Sequence, residues 1–175
     1  MHTPYSHRLS HRLGAVGMTV ALATVGGGML LGKCSPAPAP VPAANTIMPI
    51  EAQLVSLVNT YRAQNGVPPV GENLLLDNAA ENHSLDMAQR QTMTHTGWDG
   101  SDPGQRMLAA GYTWRTWGEN VAAGQKTVTD VMTAWMNSSG HRANILNPAF
   151  NEIGVAAAAG KNGVIYWTMD LATGR

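Results

Sequence analysis

Three ionisable side chains stand out by type and setting: His95 in Thr94-His95-Thr96, Glu119 in Trp117-Gly118-Glu119-Asn120, and His141 in Ser138-Ser139-Gly140-His141-Arg142. Each sits among small and polar neighbours, which predicts loops or element edges, where sites held on a rigid scaffold are found. Two neutral imidazoles and one carboxylate suit a divalent metal, zinc above all, with a fourth position left for water or substrate. The same residues suit acid–base work, with His95 or His141 as general base and water, Ser138 or Ser139 as nucleophile. The local alternative is that Glu119 caps backbone amides while each histidine makes a nearby hydrogen bond. Wide gaps in the chain put the three on different elements, so only the tertiary fold can bring them together. Other signatures are missing from the sequence: there is no P-loop, no GxGxxG opening a helix, no HExxH, no CxxC pair and no Gly-x-Ser-x-Gly elbow.

The elements that must position these residues are legible as periodicities. Ile50, Leu54, Leu57, Val58 and Tyr61 recur at helical spacing until Gly66 and Pro68-Pro69 stop the run. A second helix is expected from an Asp77 N-cap to about Thr92, with His83 as a packed core residue. Asp102-Pro103 is a cap followed by proline at the first helical position, opening a short helix through Ala110 that ends at Gly111. A further helix from Val128 to Met136 turns Val131, Met132 and Trp135 inward. The period then changes: Ile153 and Val155, a turn at Gly160-Lys161-Asn162-Gly163, and a β-branched and aromatic run from Val164 to Leu171 predict a hairpin. Trp135 and Trp167 are expected in the core. Trp98, Trp114 and Trp117, which flank His95 and Glu119 in sequence, suit either core packing or apolar contact with a ligand. Helices and strands in this order give a mixed, layered α+β domain.

Composition narrows the partners. Eleven lysines and arginines balance eleven aspartates and glutamates over 175 residues, so no net field draws the chain to nucleic acid or to an anionic membrane. The single cysteine, Cys34, cannot form an intramolecular disulfide. Residues 1–34 carry Arg8 and Arg12, then a charge-free stretch from Gly14 to Gly32, and are expected to be an export signal or membrane anchor, the chain's one contact with a membrane. Lys33 directly before Cys34 departs from a lipoprotein box and counts against a lipid anchor there. Residues 35–48 form a Pro/Ala-rich spacer, and the folded domain is expected over residues 49–173.

Five blocks resemble the CAP superfamily (cysteine-rich secretory, antigen 5 and pathogenesis-related proteins) in its bacterial, cysteine-poor form. They are Leu57-Val58-Asn59-Thr60-Tyr61-Arg62, Ser84-Leu85-Asp86-Met87-Ala88, Thr94-His95-Thr96, Trp117-Gly118-Glu119-Asn120-Val121-Ala122, and Ala134-Trp135 through Gly140-His141-Arg142-Ala143-Asn144-Ile145-Leu146. They occur in the family's order, and Glu152-Ile153-Gly154-Val155 and Tyr166-Trp167 extend the match. The resemblance implies a single-domain, three-layer α-β-α sandwich with a central cleft lined by two histidines and two acids. By motif, His95 is the first histidine, Glu119 the acid of the GEN block and His141 the second histidine. The second acid falls near Asn137 or Ser138, where this chain has no carboxylate, so the implied tetrad is a triad and metal binding is weakened. Glu152 belongs to the strand-leading block and not to the site.

The function so implied is a secreted or envelope-associated, monomeric and non-enzymatic binding module. Its cleft of His95, Glu119, His141 and Ser138 would take a lipid or small envelope ligand, and His95, Glu119 and His141 would hold a divalent metal such as zinc weakly. The alternative is a hydrolase acting on peptide or cell-wall material through His95 or His141.

Overall fold

The computed structural model of the protein describes residues 48–175. The segment expected to be an export signal or membrane anchor, Cys34 and the expected spacer up to residue 47 lie outside the described residues. The elements run α1 (Ile50–Gln64), β1 (Gly71–Glu72), α2 (Leu74–Arg90), α3 (Pro103–Ala109), β2 (Trp114–Ala123), α4 (Val128–Asn137), α5 (Ser139–Ile145), β3 (Glu152–Ala159) and β4 (Ile165–Gly174).

The strands form one sheet in the order β1-β3-β4-β2, antiparallel except for the β1–β3 pair. Because side chains alternate across a strand, β4 divides its residues between two layers. Trp167, Met169 and Leu171 pack with Leu54 and Val58 of α1, with Val131, Met132 and Trp135 of α4 and with Ile145 of α5. Tyr166 and Ala172 face the other way, against Met87 and Ala88 of α2 and against Leu76, Ala79 and Met107 of α2 and α3. The result is the α-β-α sandwich, with Trp135 and Trp167 in its core as expected.

Helix α2 starts earlier than its sequence indicated. Its cap is Asn73, whose side chain accepts from the Leu75 amide at 2.9 Å. Asp77 lies in the first turn, where its carboxylate accepts from the Val155 amide at 2.9 Å and ties the helix to β3. Burial pushes the Asp77 carboxyl up to about 6 against that hydrogen bond, with Glu72 and Glu51 adding to the rise. The helix lies so close to the sheet that a Cβ on Gly154 would collide with the backbone of Leu76 and Asp77. Helix α3 has the foreseen Asp102 cap, completed by Gln105 as a capping box.

Three elements were not expected, the two-residue strand β1 and two that bear on the site, β2 and α5. β2 contains the Glu119 segment, so Glu119 is the middle of a strand and not a loop residue. α5 begins directly after α4, with Ser138 in the extended region between them, and places His141 in its first turn. Arg62, fully buried, fixes the chain after α5. Its guanidinium donates to the carbonyls of Pro68 (2.7 Å), Ile145 (2.7 Å), Asn147 (3.0 Å) and Phe150 (2.9 Å).

Candidate functional site

Glu119 is the anchor. It projects from β2 on the α2 side of the sheet and pairs in register with Asp170 of β4. Its side chain is only 1% exposed, yet both carboxylate oxygens are partnered: Oε1 accepts from His95 Nδ1 at 2.7 Å and Oε2 from Arg106 Nη2. An ion withdrawn from water costs several kcal/mol unless a partner replaces the solvent, and here two do. The His95 ring is 55% exposed. A carboxylate only accepts, so Nδ1 carries the proton, and the free atom of the ring is Nε2.

The loop that presents His95 is held from two sides. His83, buried on α2, donates from Nε2 to the Thr94 carbonyl at 2.7 Å. Arg106 on α3 donates from Nη1 to the His95 carbonyl (2.9 Å) and to that of Ser101 (3.0 Å). On the other side of the sheet Asn120 donates to the His141 carbonyl at 3.0 Å. Asn144 in turn donates to the Asn120 side chain (2.9 Å) and to the Glu119 carbonyl (3.2 Å). Strand β2 thereby links the loop of His95 to the helix of His141.

The two imidazoles are driven apart in basicity. The Glu119 hydrogen bond raises the His95 pKa against partial burial, whereas burial lowers that of His141 and the nearby charge of His95 lowers it further. His95 therefore protonates first. Separated pKa values in neighbouring titratable groups are a mark of sites with distinct acid and base roles.

Residues 55–171 match the cysteine-rich secretory protein family, CAP. The chain belongs to the CAP family. It is 39% identical to the Bacillus subtilis protein YkwD over 65% of this chain and 44% of that one. It is 26% identical to the B. subtilis membrane protein YlbC over 60% of this chain and 30% of that one. It thus spans less than half the length of these curated relatives. Among solved structures, an outer surface protein from Borrelia burgdorferi superposes with a TM-score of 0.66 at 20% identity, over 71% of this chain and 92% of that one. An extracellular SCP-domain protein from Bacillus anthracis superposes with a TM-score of 0.63 at 25% identity, over 70% of this chain and 39% of that one.

Within this CAP domain the expected cleft residues fall into two groups. His95 and Glu119 are in direct contact, and His141 lies near enough for the charge of His95 to depress its pKa. Ser138 marks the α4–α5 junction and makes no side-chain capping bond. Among the described residues no hydrogen bond joins Ser138 or Ser139 to either imidazole. The donor set does not fit a zinc site as arranged. Arg106 occupies one oxygen of Glu119 and His95 the other, and among the described residues no group of three or more His, Cys, Asp or Glu comes together to hold a metal. Glu152 stands apart, holding the Tyr112 hydroxyl and the Asn73 amide.

Two charged residues escaped the sequence reading. Arg106, its side chain largely buried, lies in a short helix of mixed polarity, and nothing local marks its partner. Asp170 was the better signal: it is the one acid in the run Ile165-Tyr166-Trp167-Thr168-Met169-Asp170-Leu171. It is 1% exposed, and neither carboxylate oxygen has a hydrogen-bond partner. Burial raises its pKa well above the usual range; the Glu119 charge adds to the rise and Arg106 opposes it.

Proposed function

We propose that this chain is an exported, non-catalytic CAP binding module whose cleft takes a small envelope ligand, a lipid headgroup or similar polar group, through His95 and His141. One observation carries the reading. A buried, doubly partnered carboxylate fixes an imidazole whose other nitrogen faces solvent, an expensive arrangement that folding alone does not require. Neutral His95 offers Nε2 as an acceptor; protonated, it offers a donor to an anionic group. Orienting the ring in advance removes part of the ordering cost of binding. The extracellular setting of the B. anthracis protein and the outer-surface setting of the Borrelia protein support export, as does the N-terminal sequence.

The test is native mass spectrometry of the full chain recovered from its own host. The wild type is expected to carry a bound small molecule that is absent from the His95→Ala/His141→Ala double variant, with both proteins folded by circular dichroism. The same adduct on both proteins, or none on either, would refute the reading.

A further inference from the structure

Behind the Glu119 anchor, between α2 and α3, lies a pocket of about 190 Å³ whose wall includes His83, Asp86, Trp98, Asp99, Ser101 and Arg106. Two of these side chains carry buried polar atoms without partners, His83 Nδ1 and Arg106 Nε. Since His83 Nε2 donates to the Thr94 carbonyl, the neutral ring offers Nδ1 as an unpaired acceptor. Burial lowers the pKa of this ring and keeps that lone pair free. Arg106 Nε–H is an unpaired donor, its other nitrogens being taken by Glu119, His95 and Ser101. Buried polar groups in native proteins are nearly always satisfied, and each exception calls for a reason. At the mouth stands Trp98, 79% exposed, its backbone held by a hydrogen bond from its amide to Asp86 at 3.1 Å.

From this geometry we propose that the pocket is a saccharide subsite, taking one pyranose ring that packs on the Trp98 indole and places a hydroxyl between His83 Nδ1 and Arg106 Nε. A hydroxyl is donor and acceptor at once and so satisfies both orphan atoms, which neither a simple anion nor a simple cation does. An anion would meet the carboxylates of Asp86 and Asp99. A cation would meet an Asp86 already paired with Arg90 and the Arg106 guanidinium in the wall. An acyl chain would leave the same polar atoms unpaired. The exposed indole supplies a flat apolar face beside carboxylates and an amide group, Asn82, that can bond ring hydroxyls. The volume is that of about six waters at about 30 Å³ each, which suits one sugar ring. The subsite is independent of the ligand assigned to the His95 cleft.

The experiment is a ¹⁵N NMR titration of the full chain with glucose, galactose, N-acetylglucosamine and its tetramer, each alone, with choline as the cationic control. At least one sugar is expected to shift the Trp98 indole N–H and the Asp99 and Ser101 amides saturably. Trp98→Ala, a change at an exposed position that leaves the core intact, is expected to weaken that Kd about tenfold, and His95→Ala to leave it unchanged. Absence of saturable shifts with all four sugars overturns the proposal. So does saturation by choline alone, an unaltered Kd in Trp98→Ala, or loss of binding in His95→Ala with Trp98→Ala intact; the last would move the sugar to the cleft.

Discussion

At the scale of single residues the site is a contest for the proton on His95. The Glu119 carboxylate accepts from Nδ1 and raises the His95 pKa, and Arg106 on its other oxygen works the opposite way on the ring. A group whose folded pKa is raised contributes stability that is fully present below its unfolded value, about 6.5 for histidine, and is lost as pH rises through the folded value. Glu119→Gln removes the negative charge and leaves Arg106 without its counter-ion, and both changes disfavour the imidazolium. The His95 midpoint, followed by the ring Cε1–H resonance, is expected to fall in Glu119→Gln. The His141 midpoint should rise, because the charge depressing it is present over a narrower range. An unmoved His95 midpoint would show that the Nδ1 contact does not govern the ring in solution.

At the scale of elements, what matters is which segments hold these residues still. Arg62 closes α1 onto the segment after α5 by capping four carbonyls from one rigid fork. Lysine has three donors on a single nitrogen and cannot span them, so Arg62→Lys leaves buried carbonyls unpaired at about 1–3 kcal/mol each. The expected loss is about 2–4 kcal/mol in denaturant unfolding with the folded spectrum retained; a loss under about 0.5 kcal/mol would mean that water replaces the missing bonds. Helices α1 to α4 and the β3–β4 hairpin were legible because their apolar residues repeat at the right period. β2 was not, because Gly118 and Asn120 interrupt its alternation, and the groups that satisfy Asn120, the His141 carbonyl and the Asn144 amide, come from α5. His95, Glu119 and His141 were recognisable by type and motif. Arg106 was not, since its ion pair with Glu119 exists only once α3 has docked on the sheet.

At the scale of the whole molecule, the balance of formal charge conceals an uneven interior. Asp170 stands opposite Glu119 on the adjacent strand, 1% exposed and unpartnered, so its burial favours the neutral acid and the neighbouring carboxylate reinforces this. In the unfolded chain the same group ionises near pH 3.9. Folding above that pH therefore takes up a proton, and the stability this group allows at low pH is lost as pH rises from the unfolded value towards the raised folded one. Each bound proton changes the stability by about 1.4 kcal/mol per pH unit over that window. In Asp170→Asn the new side chain cannot ionise, and its amide adds an offset that does not vary with pH. Asp77, raised to about 6, contributes its own slope equally to both proteins and cancels. Denaturant unfolding of the wild type and Asp170→Asn from pH 4 upward should thus give a stability difference that moves in favour of the variant by about 1.4 kcal/mol per pH unit, then levels off once the pH passes the folded pKa. Parallel curves across the whole range would mean that Asp170 folds as the anion, with a counter-charge supplied by Arg106 at the expense of Glu119.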